Sequence, residues 1–192
     1  MPIETERPAK LTLIIGTNGT GKTTVQKDIL EFLYKEDPEN FKALIVTPDP
    51  IEWRDCEDVE LSQKSDFVFR GVRRHIYDPE LTLKRLEGFK RGYLMLDDCR
   101  AYLKASTTNA IYQLITRRRQ RMVDVFAVAH GFTQVPPVFF AFATDIILFR
   151  TVDNIAKRRN DLNDYDRIKI AQARINKKAE KDPHYCEHIT FS

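Results

Sequence analysis

Cysteine is scarce in this sequence, and the few cysteines present follow no recognisable pattern. The chain of 192 residues contains three, at Cys56, Cys99 and Cys186. An odd number without the spacing of a metal site argues against a disulfide framework and against a cysteine-bound metal. We therefore expect buried thiols in a reducing compartment.

Long apolar runs and a strong charge of one sign are also missing. The longest apolar stretch, 138–149, is short and is interrupted by Asp145, and the N-terminal residues MPIETERPAK contain no apolar signal region. These features predict a cytoplasmic protein without a membrane segment. The net charge is only +3. Any contact with nucleic acid must therefore come from local basic patches.

The sequence pattern predicts a single α/β domain over 1–192. With 42% hydrophobic residues, the chain is long enough for one well-buried core. Short apolar runs alternate with helical patterns, which is typical of a mostly parallel sheet covered by helices. We place the strands near 11–15, 43–47, 93–97, 123–129 and 145–150. The poorly patterned region 49–74 is predicted to be an inserted hairpin or loop, and a basic C-terminal helix and strand over 152–192 follow the core of 11–151.

The stretch IIGTNGTGKTT at 14–24 is the strongest motif in the chain. It fits the pattern G-x-x-x-x-G-K-[ST] through Gly16, Gly21, Lys22 and Thr23, between an apolar run and a helix-compatible segment. Glycines let successive backbone N–H groups turn toward one phosphate, and the following helix adds its positive end. Lys22 is predicted to reach the β- and γ-phosphates of a nucleotide, and Thr23 to place its hydroxyl on Mg²⁺. The other predicted phosphate-loop residues are Thr17, Asn18, Gly19, Thr20 and Thr24.

A pair of acidic residues follows the apolar run in GYLMLDDCR at 92–100. The run predicts a buried strand that ends at Asp97 and Asp98, beside the phosphate loop. Asp97 is predicted to hold the magnesium ion, directly or through water. Asp98, on the opposite side of the chain, is the candidate to orient and polarise an attacking water, and the alternative is that it caps the next helix.

A run of arginines precedes the next predicted strand. Arg117, Arg118, Arg119 and Arg121 lie at the N-terminal end of that strand, away from the phosphate loop of their own chain. One of them, with Arg119 or Arg121 preferred, is predicted to act in trans on a neighbour's γ-phosphate as an arginine finger. The alternative is a solvated basic helix face.

The strand that follows the arginines ends in a histidine. His130 is predicted to lie beside the phosphate loop, where a polar side chain can sense the γ-phosphate. Gln134 is the alternative sensor, and a purely structural histidine is the other alternative.

Together these segments resemble the FtsK/HerA superfamily of P-loop ATPases, and especially the virus-type DNA-packaging ATPases. The matching pieces are GTNGTGKTT, YLMLDDCRAYL, the arginine-rich segment before VDVFAVAH, and TQVPPVFFAFATDIILFRT, which cover most of 11–151. The resemblance implies a three-layer RecA-like P-loop NTPase core, ATP and Mg²⁺ as cofactors, and ATP-driven movement of double-stranded DNA. It also implies a homo-oligomeric ring, pentameric or hexameric, a capsid or portal protein as partner, and a location in the host cytoplasm or transiently at the procapsid.

Two positions depart from the pattern of this superfamily. Asp98 stands where Glu is frequent, and His130 stands where Gln is usual, which keeps Gln134 open as the sensor. Basic residues of the last third of the chain are candidates for contacts with DNA phosphates or for a solvated helix face; they are Lys157, Arg158, Arg159, Lys169, Arg174, Lys177 and Lys178.

Other functions also fit a phosphate loop. A nucleotide or small-molecule kinase has this loop and arginine-rich lids, but Asp97 and Asp98 followed by His130 favour activation of water over transfer to an acceptor. No N-K-x-D stretch follows the fourth strand, which argues against a GTPase. Two alternatives stay open. One is a non-hydrolysing nucleotide-binding module, and the other is a phage assembly ATPase of the zonular occludens toxin-like type, although those usually carry a membrane segment.

Overall fold

The computed structural model describes residues 9–102 and 108–191. Its centre is an eight-stranded sheet with the order β3-β4-β2-β5-β6-β1-β7-β8. The strands are β1 Leu11–Ile15, β2 Lys42–Thr47, β3 Glu57–Asp58, β4 Gly71–Ile76, β5 Gly92–Leu96, β6 Val123–Ala129, β7 Asp145–Phe149 and β8 Cys186–Thr190. Neighbouring strands pair in parallel except β7 and β8, which are antiparallel. The predicted mostly parallel sheet is confirmed.

The five strands predicted from apolar runs form the centre of the sheet, and each lies within one residue of its predicted bounds. β1 is buried along its whole length and pairs with β6 on one side and β7 on the other. Such continuous burial is expected for a parallel strand that helices cover on both faces. The apolar runs therefore identified the mostly buried strands at the centre of the sheet.

Helices cover both faces of the sheet. They are α1 Lys22–Glu36, α2 Thr82–Arg85, α3 Thr108–Thr116, α4 Arg118–Arg121, α5 Pro137–Phe142 and α6 Tyr165–Lys178. α1 packs on one face through Val25, Ile29 and Leu30. On the other face α3, α5 and α6 bury residues such as Ile115 and Phe139 in the larger core. The predicted three-layer architecture is confirmed.

The region 49–74 is mostly irregular, as the loop alternative predicted, but it does not form a hairpin. It contains β3 and the beginning of β4, and the two strands pair in parallel with each other, as β4 does with β2. The hairpin expectation is wrong, because a hairpin joins antiparallel strands. β4 has the sequence GVRRHI, whose charged residues hid it from a search for apolar runs. The buried Arg74 guanidinium makes this possible, since it pairs with the Asp58 carboxylate of β3.

The C-terminal segment extends the same sheet. The predicted basic helix and strand correspond to α6 and β8, and β8 pairs with β7. Asp145 at the start of β7 is buried and accepts hydrogen bonds from the side chains of Thr144, Thr190 and His188. Within the part of the chain that is described, no helix combines the length and apolarity needed to cross a bilayer.

The Asp145 cluster predicts acid sensitivity of the fold. Burial raises the pKa of the Asp145 carboxyl, but the hydrogen bonds from Thr144, Thr190 and His188 outweigh burial and lower it overall. A carboxylate with a depressed folded-state pKa stabilises the fold above its unfolded pKa, and this stabilisation disappears as the pH falls through the folded pKa. Urea unfolding between about pH 5 and pH 2 should show this loss. Asp145→Asn should remove that part of the pH dependence, whereas Asp28→Asn, at an exposed position on α1, should keep it.

Candidate functional site

The glycine-rich segment between β1 and α1 forms a compact turn at the C-terminal edge of the sheet. Gly19 and Gly21 have φ angles of 75° and 96°, which residues with a side chain rarely adopt. Gly16 is needed for space, because a Cβ there would lie 2.5 Å from Cβ of Phe149 and 2.8 Å from Oγ1 of Thr20. The turn is tied to both neighbouring strands through Gly16 N to Ala129 O and Thr17 N to Arg150 O.

Lys22 begins α1 and folds back over this turn. Its side chain is buried, and Nζ donates to the Thr17 carbonyl oxygen at 2.9 Å. Nζ also lies 3.3 Å from Nδ1 of His130. Burial lowers the pKa of the Lys22 ammonium, while the nearby Asp97 and Asp98 carboxylates oppose this change. An ammonium held by a carbonyl and partly dehydrated is well placed to exchange that contact for a phosphate oxygen.

Asp97 lies directly after β5 and faces the same turn. Its Oδ2 accepts a hydrogen bond from Thr47 Oγ1 at 3.2 Å. Burial raises the pKa of the Asp97 carboxyl, and the negative charges of Glu52 and Asp98 raise it further. The buried Gln26 side chain lies beside this carboxylate and opposes the rise, although Gln26 Nε2 has no hydrogen-bond partner of normal geometry among the described residues.

Asp98 adopts a left-handed conformation with a φ of 48°. Its Oδ1 accepts a hydrogen bond from Arg100 N, and its Oδ2 lies 3.6 Å from the Arg100 guanidinium. Asp98 therefore caps the short 3₁₀ turn 99–102 while it also lines the cavity described next. The capping alternative is thus observed, and the role of Asp98 in polarising a water stays a prediction.

A cavity of about 650 Å³ brings most of the predicted residues together. The predicted residues that line it are Asn18, Gly19, Gly21, Lys22, Thr23, Thr24, Asp97, Asp98 and His130. Gly16, Thr17 and Thr20 shape the turn behind it. Gln134 lies outside the lining, and its Oε1 is buried without a hydrogen-bond partner in the described chain. His130 is thus the candidate sensor that reaches the cavity.

Oxygen donors in this cavity suit a magnesium ion. The Thr23 hydroxyl and the Asp97 carboxylate share the cavity, and a cation bound between them would stabilise the charged form of the Asp97 carboxyl against its burial. Within 9–102 and 108–191, no cluster of three or more His, Cys, Asp or Glu residues could bind a metal alone. Mg²⁺ keeps several waters and binds through one or two protein ligands together with substrate phosphates, so Thr23 and Asp97 are the residues that could hold it.

The arginine run lies at the opposite ends of the strands. Arg118 is buried and donates to the carbonyl oxygens of Ile115 and Phe142, so its guanidinium is committed to the fold. Arg121 is half-buried, whereas Arg119 is exposed. None of these side chains lines the cavity of their own chain.

Several residues that line the cavity belong to none of the motifs recognised in the sequence. Glu52, Thr47 and Gln26 line the Asp97 side, Arg100 lies beyond Asp98, and His184 comes from the loop before β8 to lie against Gly21. Gln26 was predictable, because it lies one helical turn after Lys22 on the same face of α1. Glu52 and His184 carry no such signal, since only long-range folding brings them to the phosphate loop.

The fold and the glycine turn together are those of a P-loop NTPase. The genome-packaging NTPase B204 of Sulfolobus turreted icosahedral virus 2, solved with AMP, has a TM-score of 0.70 at 13% identity, covering 96% of this chain and 93% of B204. The DNA-packaging ATPase B204 of Sulfolobus turreted icosahedral virus gives 0.60 at 16% identity over 92% and 87%. The N-terminal domain of zonular occludens toxin from Neisseria meningitidis gives 0.52 at 12% identity over 80% and 91%. Comparison with protein-family models and with curated proteins gave no match.

Close packing at Gly16 predicts that alanine there disrupts the phosphate loop. The added methyl group must displace Phe149 or Thr20, at a cost of about 1–3 kcal/mol in the free energy of unfolding. We expect Gly16→Ala to lose binding of a fluorescent ATP analogue. Gly71→Ala is the control, because Gly71 has a positive φ but open space and lies outside the cavity. It should lose about 1 kcal/mol of stability and keep nucleotide binding. Equal nucleotide affinity in both variants would contradict the role of Gly16.

Proposed function

We propose that this protein is a magnesium-dependent ATPase that moves double-stranded DNA, as a subunit of a viral genome-packaging motor. The observation that carries the ATPase part is the convergence of Lys22, Thr23 and Asp97 on one cavity at the end of β1 and β5. This arrangement provides a cation for the β- and γ-phosphates and oxygen ligands for the metal that bridges them. Magnesium bound there would neutralise charge on the phosphates and orient them.

The similar solved structures support ATP as the ligand and genome packaging as the role of this protein. The B204 protein of Sulfolobus turreted icosahedral virus 2 is described as a genome-packaging NTPase and has been solved with AMP, ATP-gammaS and AMPPCP. Its likeness extends over nearly the whole of both chains. Such a likeness supports an ATP site in the cavity and a packaging role, both of which are proposals for this chain.

The intramolecular contacts of the basic residues in the C-terminal segment indicate which of them are free to bind DNA. Some of the candidates have intramolecular partners: Arg158 contacts Asp161, and Arg174 and Lys178 contact Glu187. Lys157, Lys169 and Lys177 are exposed, and none of their amino groups makes a hydrogen bond or ion pair with the described residues. We propose these lysines as the sites of phosphate contact, which would make binding weakly dependent on DNA sequence.

The ATPase proposal predicts turnover that depends on Lys22 and responds to DNA. We expect the protein to release phosphate from Mg-ATP, and double-stranded DNA to raise the rate. Lys22→Ala should abolish turnover because the developing charge on the β- and γ-phosphates loses its cation. Lys35→Ala, at an exposed position on the same helix, should keep the native rate.

The salt concentration distinguishes the DNA-dependent part of the turnover from the basal hydrolysis of ATP. Counterion release makes binding to DNA phosphates weaken steeply with salt. The DNA-dependent part of the turnover should therefore vanish at high salt while the basal turnover persists. Turnover that ignores DNA at every salt concentration would contradict the translocase proposal but leave the ATPase proposal intact.

The arginine run lies at the ends of the strands opposite to the cavity, and we therefore predict that activity needs neighbouring subunits. Arg119 and Arg121 lie at the N-terminal end of β6, whereas the cavity lies at the C-terminal ends of the strands. They can reach a nucleotide only across a head-to-tail contact between subunits, and such contacts form a ring when the rotation between neighbours closes. Lys22→Ala subunits mixed with an Arg119→Ala and Arg121→Ala double variant should therefore regain part of the hydrolysis that each lacks alone.

A matched mixture tests whether complementation is real. Lys22→Ala subunits mixed with a triple variant that lacks Lys22, Arg119 and Arg121 should stay inactive, because no interface then has both an intact loop and an intact arginine. Co-assembly is checked by light scattering. Absence of recovery in mixtures that co-assemble, or full activity of a monomer, would contradict an arginine supplied in trans.

A further inference from the structure

Glu52 is an acidic residue of the phosphate-loop cavity that belongs to none of the motifs in the sequence. It lies in the segment after β2, and β2 is the neighbour of β5 in the sheet. Parallel strands place the residues that follow them along one edge, so Glu52 and Asp97 come from adjacent positions on that edge.

The main chain around Glu52 is held by a buried cation. Arg74 Nη1 donates to the carbonyl oxygens of Pro50 and Glu52, at 2.9 Å each. The same guanidinium binds the Asp58 carboxylate through Nε and Nη2. The next residue, Trp53, is only 8% exposed and has a φ of 59°. The backbone on both sides of Glu52 is thus fixed by burial and by hydrogen bonds.

The side chain of Glu52 is free by comparison. It is exposed at the wall of the cavity, and its carboxylate accepts no hydrogen bond and forms no ion pair with the described residues. Asp98 differs, because Arg100 N donates to one of its oxygens and the Arg100 guanidinium lies near the other. A carboxylate that faces the cavity from a fixed main chain and has no partner of its own is free to accept a proton from a water bound there.

We propose that Glu52, and not Asp98, accepts the proton of the water that attacks the γ-phosphate. This inference rests on the proposed ATPase function. The water oxygen bonds to the γ-phosphorus while the bond from that phosphorus to the bridging oxygen breaks, and the electron pair of that bond leaves with ADP. One water proton moves to the Glu52 carboxylate and then to solvent, so the products are ADP, inorganic phosphate and a proton.

The experiment compares isosteric variants in turnover and in nucleotide binding. Glu52→Gln should lower kcat for Mg-ATP by about 100-fold or more, because the amide cannot accept the proton. Its affinity for a fluorescent ATP analogue should equal or exceed that of the native protein, since a negative charge facing the triphosphate is removed. Asp98→Asn should lower kcat by much less than Glu52→Gln does, because its carboxylate is already engaged by Arg100. Glu60→Gln, at an exposed position outside the cavity, is the control.

The outcomes separate this inference from the proposed function. No turnover by the native protein would overturn the ATPase proposal and the Glu52 assignment with it. Native turnover that Glu52→Gln retains would overturn the Glu52 assignment alone. Loss of nucleotide binding in Glu52→Gln, with the thermal unfolding temperature unchanged, would also overturn it, because Glu52 would then be a binding residue.

Discussion

The parallel pairing of β1 with β6 and β7 is the constraint on which the rest of the site depends. The register places Ile15 opposite Ala129, so the chain leaves β1 at the level where β6 ends. The glycine turn is then anchored to Ala129 O, and Lys22 Nζ comes within 3.3 Å of His130. A shift of register would exchange the β1 residues that face the two helical layers and disrupt their close packing, so the site geometry is held by the hydrophobic core.

The same packing of the strands also brings several charged side chains together in the cavity. The strand ends bring Asp97, Asp98 and Glu52 to one place, where Lys22 is the cation that their charges act on. Burial destabilises the charged forms of both Lys22 and Asp97, so the isolated protein carries an electrostatic cost at these two groups. A triphosphate with its metal would place an opposite charge beside each of these groups. Binding of the ligand would therefore remove this electrostatic cost.

The sequence predicted correctly those features that depend on short-range interactions along the chain. Apolar runs predicted the central strands, and the glycine spacing predicted the turn, because each depends on residues close together in the chain. β4 was missed because Arg74 replaces apolar burial with an ionic contact to Asp58, a partner that no periodicity reveals. Glu52 and His184 were missed for the same reason, since only the folded sheet brings them to the cavity. The arginine run was placed correctly at the far end of β6, but the burial of Arg118 could not be read from four similar residues.

The segment after β6 is joined to the segment after β7 by a contact that leaves no room for a side chain. The Asp153 carboxylate accepts a hydrogen bond from Thr133 N, and its atoms lie 2.7–2.9 Å from where a Cβ on Gly131 would be. Arg158 reinforces the joint by donating to the carbonyl oxygens of Phe132 and Thr133. The residues that follow β6 and β7 are therefore held against each other by these hydrogen bonds. A side chain at position 131 would push Asp153 away, so Gly131 is what allows the turn after His130 to pack against the segment that leads into the 3₁₀ turn 155–158.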